Sequence, residues 1–232
     1  RTPLATEPIG LYAVGGVSFG AHESQSRLFE NHVGRSREFW ELNFPNVRDV
    51  FPEQLKDVDA EMFWRAINRV EPGFIRVEAD ELTYDFHIML RVDLEAALVD
   101  GSLAVKDLPE AWNAKIKEYL GLDVPNDRMG VLQDVHWSSG QIGTFCNYTI
   151  GNVMAGQLYE TAVRHSAIAD GLAQAYYAPL RDWMVAHVHT HGRRYTRDEL
   201  LVRATGRTLD PEPYIAHLTA KYSEIYGLPD AA

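Results

Sequence analysis

The stretch AHESQSRLFEN, residues 21–31, opens the pattern that decides the fold of this chain. From Ser24 to Phe44, apolar side chains recur three or four residues apart with charged residues between them, which predicts one long first helix. Asn43 and Pro45 predict its end, because proline cannot donate the backbone hydrogen bond that the next helical turn needs. The chain is therefore expected to begin as a helical protein.

Helical spacing also dominates the sequence beyond this stretch. It predicts a short helix before residue 57 and further helices over 59–70, 81–99, 107–120, 141–165, 167–191 and 210–227. Thr196 followed by Glu199 predicts a capping box for another helix. Phe74 to Val77 is typical of a short strand. We predict one mainly α domain with a small β element near 74–78.

Composition limits the classes of partner. Of the 232 residues, 46% are hydrophobic, which is enough for a sizeable core. The 33 acidic and 22 basic side chains give a net charge of −11, which disfavours binding to nucleic acid or to an anionic membrane. Cys146 is the only cysteine, so an intrachain disulfide is excluded and any metal must be held by nitrogen and oxygen. The absence of a long apolar run and of a signal-peptide pattern predicts a cytoplasmic protein.

Three strings place ionisable groups beside apolar ones: AHESQSRLFEN, then IRVEADE at 75–81 and GVLQDVHW at 130–137. On the residues alone, His22 and Glu23 at the start of a helix can coordinate a metal, since zinc accepts carboxylate oxygen beside imidazole nitrogen. A carboxylate in this position more commonly only stabilises the positive end of the helix dipole. The first string by itself leaves both roles open.

In this order the three strings resemble the HES-x-Q, I/V-R-x-x-A-D and G-x-x-Q-D-x-H-W signatures of peptidase family M32, the thermostable carboxypeptidase Taq type. NYTIGNVMAGQLYE at 147–160 and HGRRYT at 191–196 resemble its C-terminal segments. The resemblance implies a zincin-like, long-helix metallocarboxypeptidase that releases single C-terminal amino acids from peptides, usually as a homodimer. It assigns 16–232 to the C-terminal half of the catalytic domain and leaves 1–15 unassigned.

The resemblance implies a metal site that this chain contains only in part. In the family, two histidines of HExxH and the glutamate of HES-x-Q hold zinc, and that glutamate matches Glu23. Cobalt is the alternative metal. His22 and Gln25 are expected to orient the ligand through hydrogen bonds, or else to be ordinary polar residues at a helix start.

The resemblance also implies a substrate wall. Arg76 matches the signature arginine, and its fork of donors suits the terminal carboxylate of a peptide. The alternative for this arginine is a buried salt bridge to Asp80 or Glu78. Gln133 and Asp134 are expected to line the substrate site and to orient their neighbours.

His136 and Tyr148 are the expected catalytic side chains. His136 would donate to a substrate carbonyl or carboxylate, and Tyr148 matches a tyrosine that can hydrogen-bond the oxyanion of the tetrahedral intermediate. The alternatives are a satisfied core histidine and a packed helix tyrosine. The string HVHTHG at 187–192 is predicted to be a solvated helix end, because Val188 stands where an HExxH helix carries its glutamate.

Neither HExxH nor the family's D-x-R-x-T string occurs in the 232 residues. Glu23 supplies one of the four groups that metal-assisted peptide hydrolysis needs, which are three protein ligands and a general base. We therefore expect the isolated chain to be inactive and to be completed by an HExxH-bearing N-terminal half, with exposed apolar faces covered by that half or by a second copy. The alternative function is a non-catalytic helical interaction module derived from such an enzyme.

Overall fold

Ten α-helices form most of the regular structure of residues 15–229, the part of the chain that the computed structural model describes. A π-helical segment and three short 3₁₀ turns lie between them. The prediction of a mainly helical fold is confirmed, while the unassigned segment falls almost entirely outside the described residues. The α-helices are α1 Phe19–Arg27, α2 Arg37–Val50, α3 Ala60–Ile67, α4 Tyr84–Asp100, α5 Leu108–Leu120, α6 Asn147–Ala162, α7 Ser166–Leu172, α8 Ala178–His187, α9 Arg197–Thr205 and α10 Glu212–Tyr226.

The prediction of a single helix over 24–44 is wrong. α1 is followed by a π-helical segment, Leu28–Gly34, and α2 begins after Ser36, whose hydroxyl accepts from the backbone N–H of Phe39 at 3.1 Å. Because serine is a strong N-cap, it starts a new helix where the apolar spacing alone indicated continuity. Pro45 lies inside α2 instead of ending it.

The predicted helix over 167–191 is divided into α7 and α8. Between them the backbone N–H of Tyr176 bonds to the carbonyl of Gly171 at 2.8 Å. Ala175 adopts a φ of 56° in this turn, which a right-handed helix does not allow. Helical spacing on both sides of the turn concealed it in the sequence.

No strand occurs among residues 15–229, so the β element predicted near 74–78 is wrong. Ile75 has an extended backbone, but a 3₁₀ turn follows it at once. The side chain of Gln133 takes the place of a partner strand: it accepts from the backbone N–H of Arg76 at 2.7 Å and donates to the carbonyl of Phe74 at 2.7 Å. The segment is therefore extended locally without belonging to a sheet.

Several helix ends follow the sequence signals. Asp59 caps α3 by accepting a backbone N–H of its first turn at 2.7 Å, and Thr196 with Glu199 forms the predicted capping box of α9. α4 and α10 end at Gly101 and Gly227, both with a positive φ that glycine adopts without strain. Local capping chemistry was thus easier to predict than helix continuity.

The chain divides into two units, each with its own apolar core. The first unit takes the described residues up to Ile67 and from Ile150 onward, and the second takes Asn68–Thr149. No helix among residues 15–229 is long and apolar enough to cross a membrane. The first core includes Leu28, Met154, Leu158, Leu180, Met184 and Leu201, and the second includes Leu90, Leu94, Leu108, Trp112 and Ile116.

Candidate functional site

Glu23 lies in the middle of α1, in the first unit. Ser18 caps that helix by accepting from the backbone N–H of Ala21 at 3.1 Å, which fixes the chain direction shortly before Glu23. The carboxylate of Glu23 accepts from Arg27 Nε at 3.0 Å, one turn further along, and the side chain remains 25% exposed. The glutamate is thus ordered yet accessible.

Gly151, on α6, packs directly against Glu23. A Cβ built on this glycine would lie 2.7 Å from both Cβ and Cγ of Glu23 and 3.2 Å from its carbonyl carbon. A glycine is therefore needed for α6 to approach α1 this closely. Sequence reasoning missed this contact, although a glycine inside a predicted helix is itself a signal of close packing.

His22 bonds to the segment that precedes α1. The backbone N–H of Gly16 donates to His22 Nε2 at 3.1 Å, and the carbonyl of Gly16 accepts from Arg193 Nε at 3.0 Å. His22 therefore orients the chain as it enters the helix that carries the glutamate.

Gln25 joins α1 to the turn between α8 and α9. Its amide nitrogen donates to Ser24 Oγ at 2.9 Å, and its amide oxygen lies 2.6 Å from His189 Nε2. Burial lowers the pKa of His189, which favours the neutral imidazole. The predicted solvated helix end thus holds only for part of HVHTHG: His187 is exposed and its ring packs at a tilt against Trp183, but His189 points to Gln25.

The described residues contain no complete metal site. Within residues 15–229 no three His, Cys, Asp or Glu side chains are grouped so that they could hold a metal ion. The carboxylate of Glu23 has the donor chemistry that zinc accepts. His22 Nε2, the nearest imidazole in sequence, already accepts from Gly16.

In the second unit, Arg76 is held in a bidentate ion pair with Asp134. Its Nε and Nη2 donate to that carboxylate at 3.0 and 2.8 Å, and its Nη1 donates to Tyr84 Oη at 2.9 Å. The alternative expected for Arg76, a salt bridge to Asp80 or Glu78, is wrong, because Arg76 pairs with Asp134. Asp80 instead accepts from backbone N–H groups just before α4. Burial opposes the charge of Arg76, but the hydrogen bonds to Asp134 and the electrostatic attraction of Asp134, Tyr84 and Tyr148 together outweigh it and raise the pKa of Arg76 above its ordinary value.

A second guanidinium, which sequence reasoning missed, shares the same carboxylate. Arg91 is fully buried, its Nη1 lies 3.4 Å from Asp134 Oδ2, and its guanidinium carbon lies 3.7 Å from the Trp137 ring centre. Burial lowers the pKa of Arg91 to about 10. The signal was a charged residue inside the apolar run FHIMLRVDL of α4, since a buried charge requires a partner.

Three side chains of the string GVLQDVHW hold it in place through hydrogen bonds and an ion pair. Gln133 bonds the backbone on either side of Ile75, Asp134 pairs with Arg76, and Trp137 Nε1 donates to Glu95 at 2.8 Å. Glu95 is itself buried and also accepts a backbone N–H of the following loop. The loop that carries the expected catalytic histidine is therefore tied by side-chain hydrogen bonds to residues 74–76 and to α4.

His136 and Tyr148 form a hydrogen-bonded pair, with Nε2 and Oη 3.0 Å apart. Both are half-buried, and the ring of Phe145 packs edge-on against each of them. Burial is the main cause that lowers the pKa of His136, with Asp134 opposing the shift and Arg76 adding to it. A neutral imidazole beside a phenol can present a donor to a substrate oxygen.

Comparison with known proteins decides which family these residues belong to. The model of the carboxypeptidase Taq (M32) metallopeptidase family matches residues 3–222. The chain belongs to this family. Its helical fold and its signature strings are those of an M32 metallopeptidase.

The M32 relatives are longer than this chain. It is 45% identical over 212 residues to thermostable carboxypeptidase 1 of Thermus thermophilus, covering 91% of this chain and 41% of that protein. For carboxypeptidase 1 of Bacillus subtilis the identity is 40% over 214 residues, covering 92% and 43%. The crystal structure of the M32 carboxypeptidase from Deinococcus radiodurans R1 is 49% identical with a TM-score of 0.88, covering 92% of this chain and 43% of that one. The chain thus spans about two fifths of the length of these relatives.

Proposed function

We propose that this chain is part of a zinc-dependent carboxypeptidase that releases single C-terminal amino acids from peptides. In this proposal Glu23 is one of three metal ligands, and the other two are histidines of an HExxH segment outside the given sequence. Zinc held in this way supplies an activated water for peptide hydrolysis. Cobalt is the alternative metal.

The state of Glu23 is the observation that carries the proposal. Its carboxylate accepts from Arg27 Nε, its Cβ and Cγ pack against Gly151, and its side chain stays 25% exposed. The contact with Gly151 fixes the stem of the side chain, and the hydrogen bond from Arg27 fixes the direction of the carboxylate. The ordering supports a ligand whose direction matters.

We propose that Tyr148 donates to the oxyanion of the tetrahedral intermediate. If His136 carries its proton on Nε2, the imidazole donates to Tyr148 Oη and leaves the phenol proton free for the substrate oxygen. Preorganised donors of this kind act most strongly where negative charge develops in the transition state.

We propose that Arg76, Gln133 and Asp134 form the wall that holds this pair. The Asp134 carboxylate occupies Nε and Nη2 of Arg76, so a peptide carboxylate reaches that edge only if Asp134 gives way. The geometry supports a role for Arg76 in fixing the loop of His136, with direct carboxylate binding as the competing role. Peptides with an amidated C-terminus distinguish the two.

Exposed apolar side chains on α1 and in the π-helical segment support association with the missing half. Phe19 is 70% and Phe29 39% exposed, on the same helical stretch as Glu23. We propose that the HExxH-bearing half covers them, with homodimerisation as a separate contact. A non-catalytic interaction module would use the same exposed side chains without needing an ordered glutamate.

The test is complementation. This chain is co-expressed with the HExxH-bearing N-terminal half of an M32 relative, and the release of C-terminal amino acids from short peptides is measured. We expect activity from the complex and none from either half alone. A stable, zinc-loaded complex without activity would favour the interaction module.

A further inference from the structure

The turn between α8 and α9, residues 189–193, contacts the region of α1 at two places. His189 Nε2 lies 2.6 Å from Gln25 Oε1, and Arg193 Nε donates to the carbonyl of Gly16 at 3.0 Å. These two contacts lie on either side of Glu23 in the sequence. The turn, which we call the 189–193 turn, therefore brackets the glutamate.

The contact between His189 and Gln25 belongs to a chain of hydrogen bonds in which each donor and acceptor role is fixed. Ser24 is fully buried and gives its hydroxyl hydrogen to the carbonyl of Ala21 at 2.8 Å, so its oxygen must accept from Gln25 Nε2. The amide oxygen of Gln25 then faces His189, and the imidazole must donate through Nε2. The side chain of His189 thus connects to the backbone of α1 through Gln25 and Ser24, the two residues that follow Glu23.

The second contact leads to the other neighbour of Glu23. Gly16 uses both of its backbone polar groups: its carbonyl accepts from Arg193, and its N–H donates to His22 Nε2 at 3.1 Å. Arg193 is therefore linked to His22 through a single residue, Gly16. Two separate hydrogen-bonded paths from one turn end on the residues flanking the glutamate.

We propose that His189 and Arg193 are positioning residues that fix the direction in which α1 presents Glu23. The purpose of this orientation, metal binding by Glu23, rests on the proposed function. Partners behind a metal ligand commonly change metal affinity or activity by about 10–100-fold when they are removed. Neither residue touches substrate or metal in this proposal.

Hydrogen exchange of the chain alone tests the positioning directly. His189→Phe keeps a ring of similar shape but removes the donor, and we expect the amides of α1 to exchange about tenfold faster. His187→Phe is the matched control, because the same substitution two residues away falls on an exposed histidine, and it should leave α1 unchanged. Unchanged exchange of α1 in His189→Phe would overturn the proposal.

Two further variants separate positioning from general damage to the fold. His189→Gln restores a donor and should recover most of the protection of α1, while Gln25→Met removes the acceptor and should reproduce the loss. α4 and α5, in the second unit, should keep their protection in every variant. Equal loss in His189→Gln and His189→Phe would mean that packing, not the hydrogen bond, is what His189 provides.

The effect on metal binding is measured in the complemented enzyme. We expect His189→Phe to lose metal to a chelator at about tenfold lower chelator concentration than the parent, with kcat reduced and KM nearly unchanged. A parent-like metal affinity together with loosened α1 would overturn the link to Glu23. A parent complex that holds no metal would refute the proposed function alone, because the exchange result decides the positioning by itself.

Discussion

Replacing Gly151 by alanine perturbs the candidate metal ligand through the fold. The new methyl group would lie 2.7 Å from Cβ and Cγ of Glu23, whereas ordinary contacts of this kind begin at 3.4 Å. At least about 0.7 Å of movement is therefore needed. Because one of the contacted atoms is Cβ, a change of side-chain rotamer cannot relieve the clash, and α1 must move away from α6.

The energy follows from two opposing effects. Overpacking in a close contact costs about 1–3 kcal/mol. Alanine in a helix interior recovers about 1 kcal/mol relative to glycine. We expect the free energy of unfolding of Gly151→Ala to fall by about 1 kcal/mol, and the displaced Glu23 to lower the metal affinity of the complemented enzyme by about 10-fold or more.

The assay pairs urea unfolding of the chain with metal competition in the complemented enzyme. Gly156→Ala is the matched control, since it lies on the same helix and its Cβ would meet the backbone of Tyr214 at 2.9 Å, away from Glu23. Both variants should lose similar stability, but only Gly151→Ala should lose metal affinity. A Gly151→Ala chain that is about 1 kcal/mol more stable than the parent, the gain from helix propensity alone, would refute the close contact.

Three other outcomes are expected. His87 is buried, and its pKa is lowered to about 4, first by burial and then by the charge of Arg76. Below pH 6.5 the unfolded chain binds this proton and the folded chain does not, so the free energy of unfolding should fall by about 3 kcal/mol as the pH drops from 6.5 to 4. His87→Leu should flatten this pH dependence, measured by urea unfolding at a series of pH values. Tyr148→Phe should lower kcat of the complemented enzyme roughly a hundredfold with little change in KM, and a loss within threefold would return this tyrosine to a packing role. Arg76→Ala should weaken cleavage of free-acid peptides, and equal binding losses for free-acid and amidated peptides would assign Arg76 to the loop alone.

Local chemistry in this sequence predicted more than helix length did. Short-range capping signals such as Thr196 with Glu199 depend on a few neighbouring residues and were confirmed. The long helices expected over 24–44 and 167–191 failed because an N-cap at Ser36 and a left-handed residue at Ala175 interrupt segments whose apolar spacing continues on both sides. Periodicity records which face is buried and does not record where the backbone turns.

The candidate site was recognised by its strings, but the contacts within it were not. The partner of Arg76 is distant in sequence, so neighbouring carboxylates were considered first and Asp134 was found only in the folded chain. The contact of Gly151 with Glu23 and the inward turn of His189 are likewise long-range. Such pairings depend on how helices pack, which one sequence without its fold does not specify.

Glu23 is proposed as a metal ligand of a carboxypeptidase completed from outside this chain. The most direct measurement is the zinc content of the complemented enzyme, by mass spectrometry of the metal, for the parent and for Glu23→Gln, which keeps the size of the side chain but removes its charge. We expect about one zinc per complex in the parent and almost none in Glu23→Gln, with both complexes assembled and folded. A Glu23→Gln complex that retains a full equivalent of zinc and releases C-terminal amino acids at the parent rate would contradict it.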